Sequence, residues 1–123
     1  MMRRILLALD GSPHAQRALE EAVMIARRTG ARIHVVHAGA YDVHIQAMLA
    51  TSAHAIAKLG GAVAECVSMN GPAAAVILGV AEDVGADLIV IGARGSGQWT
   101  GRTLGSVAMS VVQRACCRVL VTR

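Results

Sequence analysis

Short, unbroken apolar runs alternate along this sequence with longer stretches whose apolar residues recur at helical spacing. The runs fall at 4–9, 33–38, 62–67, 88–91 and 119–121. Between them, Leu19, Ala22, Val23 and Ala26 repeat at i, i+3, i+4 and i+7. Ile45, Met48, Leu49, Ser52, Ile56 and Leu59 continue a second stripe, Val76, Ile77, Val80 and Val84 a third, and Leu104, Ala108, Val111 and Ala115 a fourth. A run without alternation marks a strand covered on both faces, and a period of about 3.6 marks a helix with one buried side. The chain therefore reads βαβαβαβαβ, without linker, repeat or low-complexity segment. That order is satisfied by a parallel sheet with helices on both faces, and right-handed crossovers leave few windings open. The fold class is α/β, doubly wound, with residues 1–123 expected to form a single domain.

The punctuation agrees. Ser12-Pro13 places a cap residue before a proline at the first helical position, and the same helix closes on Arg27-Arg28-Thr29-Gly30, cations at its negative end and glycine beyond. Gly71-Pro72 opens the third helix in the same manner, and Gly85 closes it. With 54% hydrophobic and 16% charged residues among 123, intrinsic disorder is excluded. Charged residues such as Asp10, Arg27, Arg32, Glu65, Glu82 and Asp87 interrupt every apolar stretch before it reaches the ~20 residues of a membrane span. The first ten residues have too short an apolar segment for a signal peptide, so the expected location is cytoplasmic and no membrane is expected as a partner. Three cysteines, Cys66, Cys116 and Cys117, form no disulfide or zinc pattern and read as buried small hydrophobes. The formal charge of +4 comes mostly from scattered arginines without interleaved aromatics, which argues against a nucleic-acid partner.

In doubly wound sheets a ligand sits at the carboxyl ends of the strands, where the winding reverses. One such end is followed by residues 92–106, Gly-Ala-Arg-Gly-Ser-Gly-Gln-Trp-Thr-Gly-Arg-Thr-Leu-Gly-Ser, ahead of a helical stripe. Strand, glycine-rich loop and helix start together let backbone N–H groups and a positive helix end cradle phosphate, with Arg94, Arg102 and Ser106 as further donors. The Walker pattern is absent, and Thr100 stands where a dinucleotide fingerprint needs glycine. A merely structural loop therefore stays open on the residues alone.

The spacing Gly92-x2-Gly95-x9-Gly105-Ser106 resembles the nucleotide loop of the universal stress protein family. Ile5 to Ser12 (ILLALDGS), Val35 to Ala38, Ala86 to Gly95 (ADLIVIGARG) and Val119 to Val121 are similar to that family's first, second, fourth and last strands. The resemblance implies a Rossmann-like, five-stranded sheet of order 3-2-1-4-5 with an adenine-nucleotide site between strands one and four. It implies that Asp10 bonds the ribose hydroxyls beside Ala8 and Leu9, and that the backbone of Ala38 meets the adenine edge. Gly92, Arg94, Gly95, Gly97, Gly105, Ser106 and Val107 match the phosphate side. ATP or AMP is the implied ligand, with magnesium or manganese as the accompanying metal and no metal-ligating residue assigned. The segment between strands two and three is short for the family, and Arg118 stands where proline is common.

Other chemistries find less support. Asp10 could simply end its strand. A phosphorelay receiver needs a further aspartate and a lysine at strand ends that this chain lacks. The five histidines show no ligand spacing, His34 and His37 pointing to opposite sides of a strand, and no nucleophile elbow or catalytic carboxylate pair is present. Two functional classes remain. One is a regulatory adenine-nucleotide binder with little or no turnover, read by a partner protein and active as a stress-response module; the other is a nucleotide-free dimeric scaffold. A slow ATPase ranks below both. The terminal strand at 118–123 is expected to pair with a second copy of itself in a homodimer.

Overall fold

The computed structural model describes residues 1–94 and 104–123. Among these residues five strands and four helices alternate as expected: β1 (Arg4–Ala8), α1 (Pro13–Thr29), β2 (Arg32–Ala38), α2 (Val43–Lys58), β3 (Ala62–Met69), α3 (Ala73–Val84), β4 (Leu88–Gly92), α4 (Ser106–Arg114) and β5 (Arg118–Thr122). All strand pairings are parallel and the sheet order is β3-β2-β1-β4-β5, so the winding reverses between β1 and β4.

Local chemistry sets the helix ends. The Ser12 hydroxyl accepts from the Ala15 N–H at 3.2 Å and starts α1, a cap worth about 1 kcal/mol. Gly30, at φ 78°, ends α1 in the left-handed conformation that glycine adopts without strain. Asp42 caps α2 by accepting from the Ile45 N–H at 2.9 Å. Pro72 is the residue before α3 rather than its first residue; its φ of −59° fits either position.

Each face of the sheet carries its own core. Ile5, Leu7, Ile33, Val35 and Val90 pack against Leu19, Ala22, Val23 and Ala26 of α1 and Leu49 and Ile56 of α2. Leu6, Ala8, Val36, Ile89 and Ile91 pack against Val76, Ile77 and Val80 of α3 and Val111 of α4. Small alanines on α1 let that helix lie close to the sheet, and the aliphatic strands fill the remaining space.

Two expectations need correction. The run at 62–67 was expected to be covered on both faces, yet β3 is a half-exposed edge strand with Glu65, Cys66 and Met69 open to solvent. Its neighbour β2 and helix α2 cover only part of it, and an apolar run looks the same at an edge as in the middle. The cysteines are not buried either: Cys66 and Cys116 are exposed and Cys117 is half-buried. Partial desolvation pushes the Cys66 and Cys117 thiols up, with the charge of Glu65 adding at Cys66 and that of Asp87 at Cys117. Both therefore hold their protons at neutral pH and are poor nucleophiles.

Candidate functional site

Where β1 and β4 diverge, their carboxyl ends leave a cavity of about 520 Å³, a size typical of small-molecule sites. Its walls come from the ends of β1, β2 and β4, from Ala15 of α1, Ala73 and Ile77 of α3, and from the first turn of α4. Of the site residues read from the sequence, Ala8, Leu9, Asp10, Ala38, Gly92, Arg94, Gly105, Ser106 and Val107 all line it. Gly95 and Gly97, with Arg102, lie outside the described residues.

Asp10 follows β1 with an exposed carboxylate, and its Oδ1 accepts the Ser12 N–H at 2.9 Å. This Asx turn turns the chain from strand to helix and fixes the carboxylate at the rim of the cavity. Strand termination and ligand binding are thus compatible roles, since the turn uses one oxygen. Leu9 is held beside it, its N–H donating to the Val36 carbonyl at 3.0 Å.

On the opposite wall, Gly105 precedes α4 and its N–H donates to the Ala93 carbonyl at 2.7 Å, which ties the helix start to the end of β4. The first turn of any α-helix has N–H groups with no acceptor inside the helix, and here the cap residue, Gly105, has no side chain to satisfy them. Ser106, Val107 and Ala108 therefore present donors and the positive end of α4 to the cavity. Gly92 is glycine for an additional reason, because α1 passes directly over it at His14.

Sequence reasoning missed Ala15, Val36, Ala73, Ile77, Ile91, Ala93, Leu104 and Ala108 as cavity residues. These are apolar or small side chains that the helical and strand periodicities assign to the core. A signal was available for Ala73, since the start of α3 lies at the same carboxyl end of the sheet as the starts of α1 and α4.

Asp10 and Arg94 are the ionisable side chains lining the cavity among the described residues. Among those residues no group of three His, Cys, Asp or Glu is placed to hold a metal ion. His37 is buried with Nδ1 3.0 Å from the Ser68 hydroxyl, and His34 Nδ1 lies 3.2 Å from Glu65 Oε1, so both have partners within the sheet. No helix among the described residues is long and apolar enough to cross a membrane.

Comparison with known proteins places these features in context. The model of the universal stress protein family matches residues 1–47 and 38–123. A universal stress protein of Thermus aquaticus, from the QAH/OAS sulfhydrylase 3′ region, is 36% identical over 137 aligned positions that take in all of both chains. The solved universal stress protein UspA of Lactobacillus plantarum superposes with a TM-score of 0.85 at 27% identity, covering 98% of this chain and 97% of that one. A universal stress protein of Archaeoglobus fulgidus, solved in complex with dAMP, superposes with a TM-score of 0.78 at 26% identity over 100% and 98% of the two chains. The family match breaks and resumes across 38–47, where only residues 39–42 join β2 to α2.

Proposed function

Since the chain belongs to the universal stress protein family, we propose that it is an adenine-nucleotide-binding regulatory protein, holding ATP or AMP in the cavity between β1 and β4 with little or no turnover. The observation that carries this reading is the convergence on one cavity of a fixed carboxylate, Asp10, and the start of α4, whose cap residue is a glycine. A ribose offers hydroxyls to the first, and a phosphate accepts from the second. The apolar walls at Val36, Ala38, Ala73 and Ile77 suit a flat base. The dAMP complex of the Archaeoglobus relative supports an adenine nucleotide as the ligand class.

Magnesium or manganese would enter with the phosphates, since Asp10 is the carboxylate at the cavity and such ions keep several waters or phosphate oxygens as ligands. Low turnover is supported by the donor set: of the two ionisable groups that line the cavity among the described residues, Arg94 is a cation and Asp10 already has one oxygen in the turn. The occupied protein then acts in the stress response by being recognised by another protein, as a homodimer joined through β5.

Mass spectrometry of ligand retained on the natively purified protein, followed by calorimetric titration with ATP and AMP, tests the reading. A retained adenine nucleotide and saturable heats support it. No retained nucleotide and no heat with either ligand would leave the dimeric scaffold in its place.

A further inference from the structure

A second concavity opens at the other end of the sheet, around the amino ends of β1 and β2. Its volume is also about 520 Å³, and Arg3, Arg4, Arg32 and His34 line it together with Thr29 and Gly30 from the end of α1. Arg4 and Arg32 are register partners on adjacent parallel strands, so their side chains leave the same face of the sheet side by side. Like charges placed opposite each other in a sheet destabilise it unless something neutralises them.

Among the described residues no carboxylate lies within ion-pair distance to do so: none of the three guanidinium groups lies within 4.0 Å of one, and Glu65 Oε1 is instead 3.2 Å from His34 Nδ1. The nearest acids are otherwise engaged or turned away. Asp87 Oδ2 accepts the backbone N–H groups of Arg3 and Arg4 at 2.7 and 2.9 Å, and its charge acts on the Arg4 guanidinium only from beyond ion-pair distance. Glu65 faces His34, while Glu82 and Asp83 stand exposed on the last turn of α3. Arg3 Nε meets only the Met1 sulfur at 3.4 Å, a weak acceptor.

We propose that this concavity is a second anion site, taking a small, multiply charged phosphate compound of the polyphosphate class. Three guanidinium groups supply fork-shaped donors that match phosphate oxygens, and a compact polyphosphate carries enough negative charge to answer all three in a space of this size. The site is separate from the nucleotide cavity, shares no residue with it, and does not depend on the nucleotide reading.

The test titrates sodium tripolyphosphate into the isotope-labelled full chain and follows backbone amide shifts by NMR. Saturable shifts at Thr29, Arg32 and His34 are the expected result. Shifts confined to Ser106 and Val107, or none at all, would overturn the proposal and would speak only to the nucleotide cavity. In an Arg4→Gln/Arg32→Gln variant the affinity read at Thr29 and His34 should fall about tenfold or more, while Arg4→Lys/Arg32→Lys retains part of it. Unchanged affinity in the glutamine variant would equally refute the site. Asp10→Ala should leave these shifts as they are.

Discussion

A Cβ on Gly92 would stand 2.9 Å from the Cβ of His14 and 3.1 Å from the His14 carbonyl carbon and oxygen. The start of α1 therefore rests on the backbone at the end of β4, which brings Ala15 to the cavity floor. Gly92→Ala should destabilise the fold by roughly 1–3 kcal/mol, because rigid backbone has to move. Adding His14→Ala should give no rescue, since all three contacted atoms remain. Urea denaturation of both variants checks this.

Asp10→Ala should weaken ATP and AMP by similar factors, about one to two decades, because the lost charged hydrogen bond is to the shared ribose. Asp10→Asn keeps an acceptor for the Ser12 N–H and so separates the turn from the ligand contact. Calorimetry on both variants decides; a loss confined to ATP would reassign Asp10 to the phosphates or their metal.

Acid should act through Asp87. Two backbone N–H groups, from Arg3 and Arg4, hold its carboxyl below its ordinary 3.8, with nearby positive charge helping. A depressed folded value means stability that is present above the unfolded value and is lost as pH falls through the folded one. Asp87→Ala should therefore be less stable at neutral pH, with a shallower decline below about pH 4 than the parent chain shows. Thermal melts across that range measure both effects.

The open edge at β5 gives the assembly prediction a specific residue. The Ala93 N–H donates to the Thr122 carbonyl at 2.6 Å, and backbone groups alternate sides along a strand, so Leu120 also turns towards β4 while Val119 and Val121 turn outward. Val121→Pro removes an outward donor and should convert a sedimenting dimer to monomer with the fold intact. Leu120→Pro should instead break the ladder to β4 and destabilise the chain. A parent chain that sediments as a monomer at micromolar concentration refutes the pairing.

The periodic signals made the element order legible, and the resemblance to the universal stress protein family, not the periodicity, pointed to Asp10, Ala38 and the start of α4 as cavity residues. Ser12, Gly30 and Gly85 end their helices as their chemistry dictates, and Asp10 and Ser106 are recognisable because polar residues at strand and helix ends stand out against an apolar background. Ala73 and Ile77 were hidden, because an apolar wall of a cavity obeys the same periodicity as an apolar core. The cluster of Arg3, Arg4 and Arg32 was hidden for a different reason. Arg3 and Arg4 are neighbours in sequence, but Arg32 is brought beside Arg4 only by the registration of β1 with β2. The openness of β3 likewise depends on lateral neighbours that a local window does not contain.

One irregularity in β3 bears on how large an assembly can grow. Val63 pairs with Ile33 and Glu65 with His34, so Ala64 is an extra residue bulged out of the β2–β3 ladder. Two copies joined through β5 would form a continuous ten-stranded sheet whose two outermost strands are both β3. An unbroken, apolar strand in that place would recruit further copies without limit, as fibrils do. The bulge throws the outward hydrogen-bonding groups off their even spacing, and Glu65 puts a charge on the same strand, so in such an assembly growth by strand addition would stop after the first pairing.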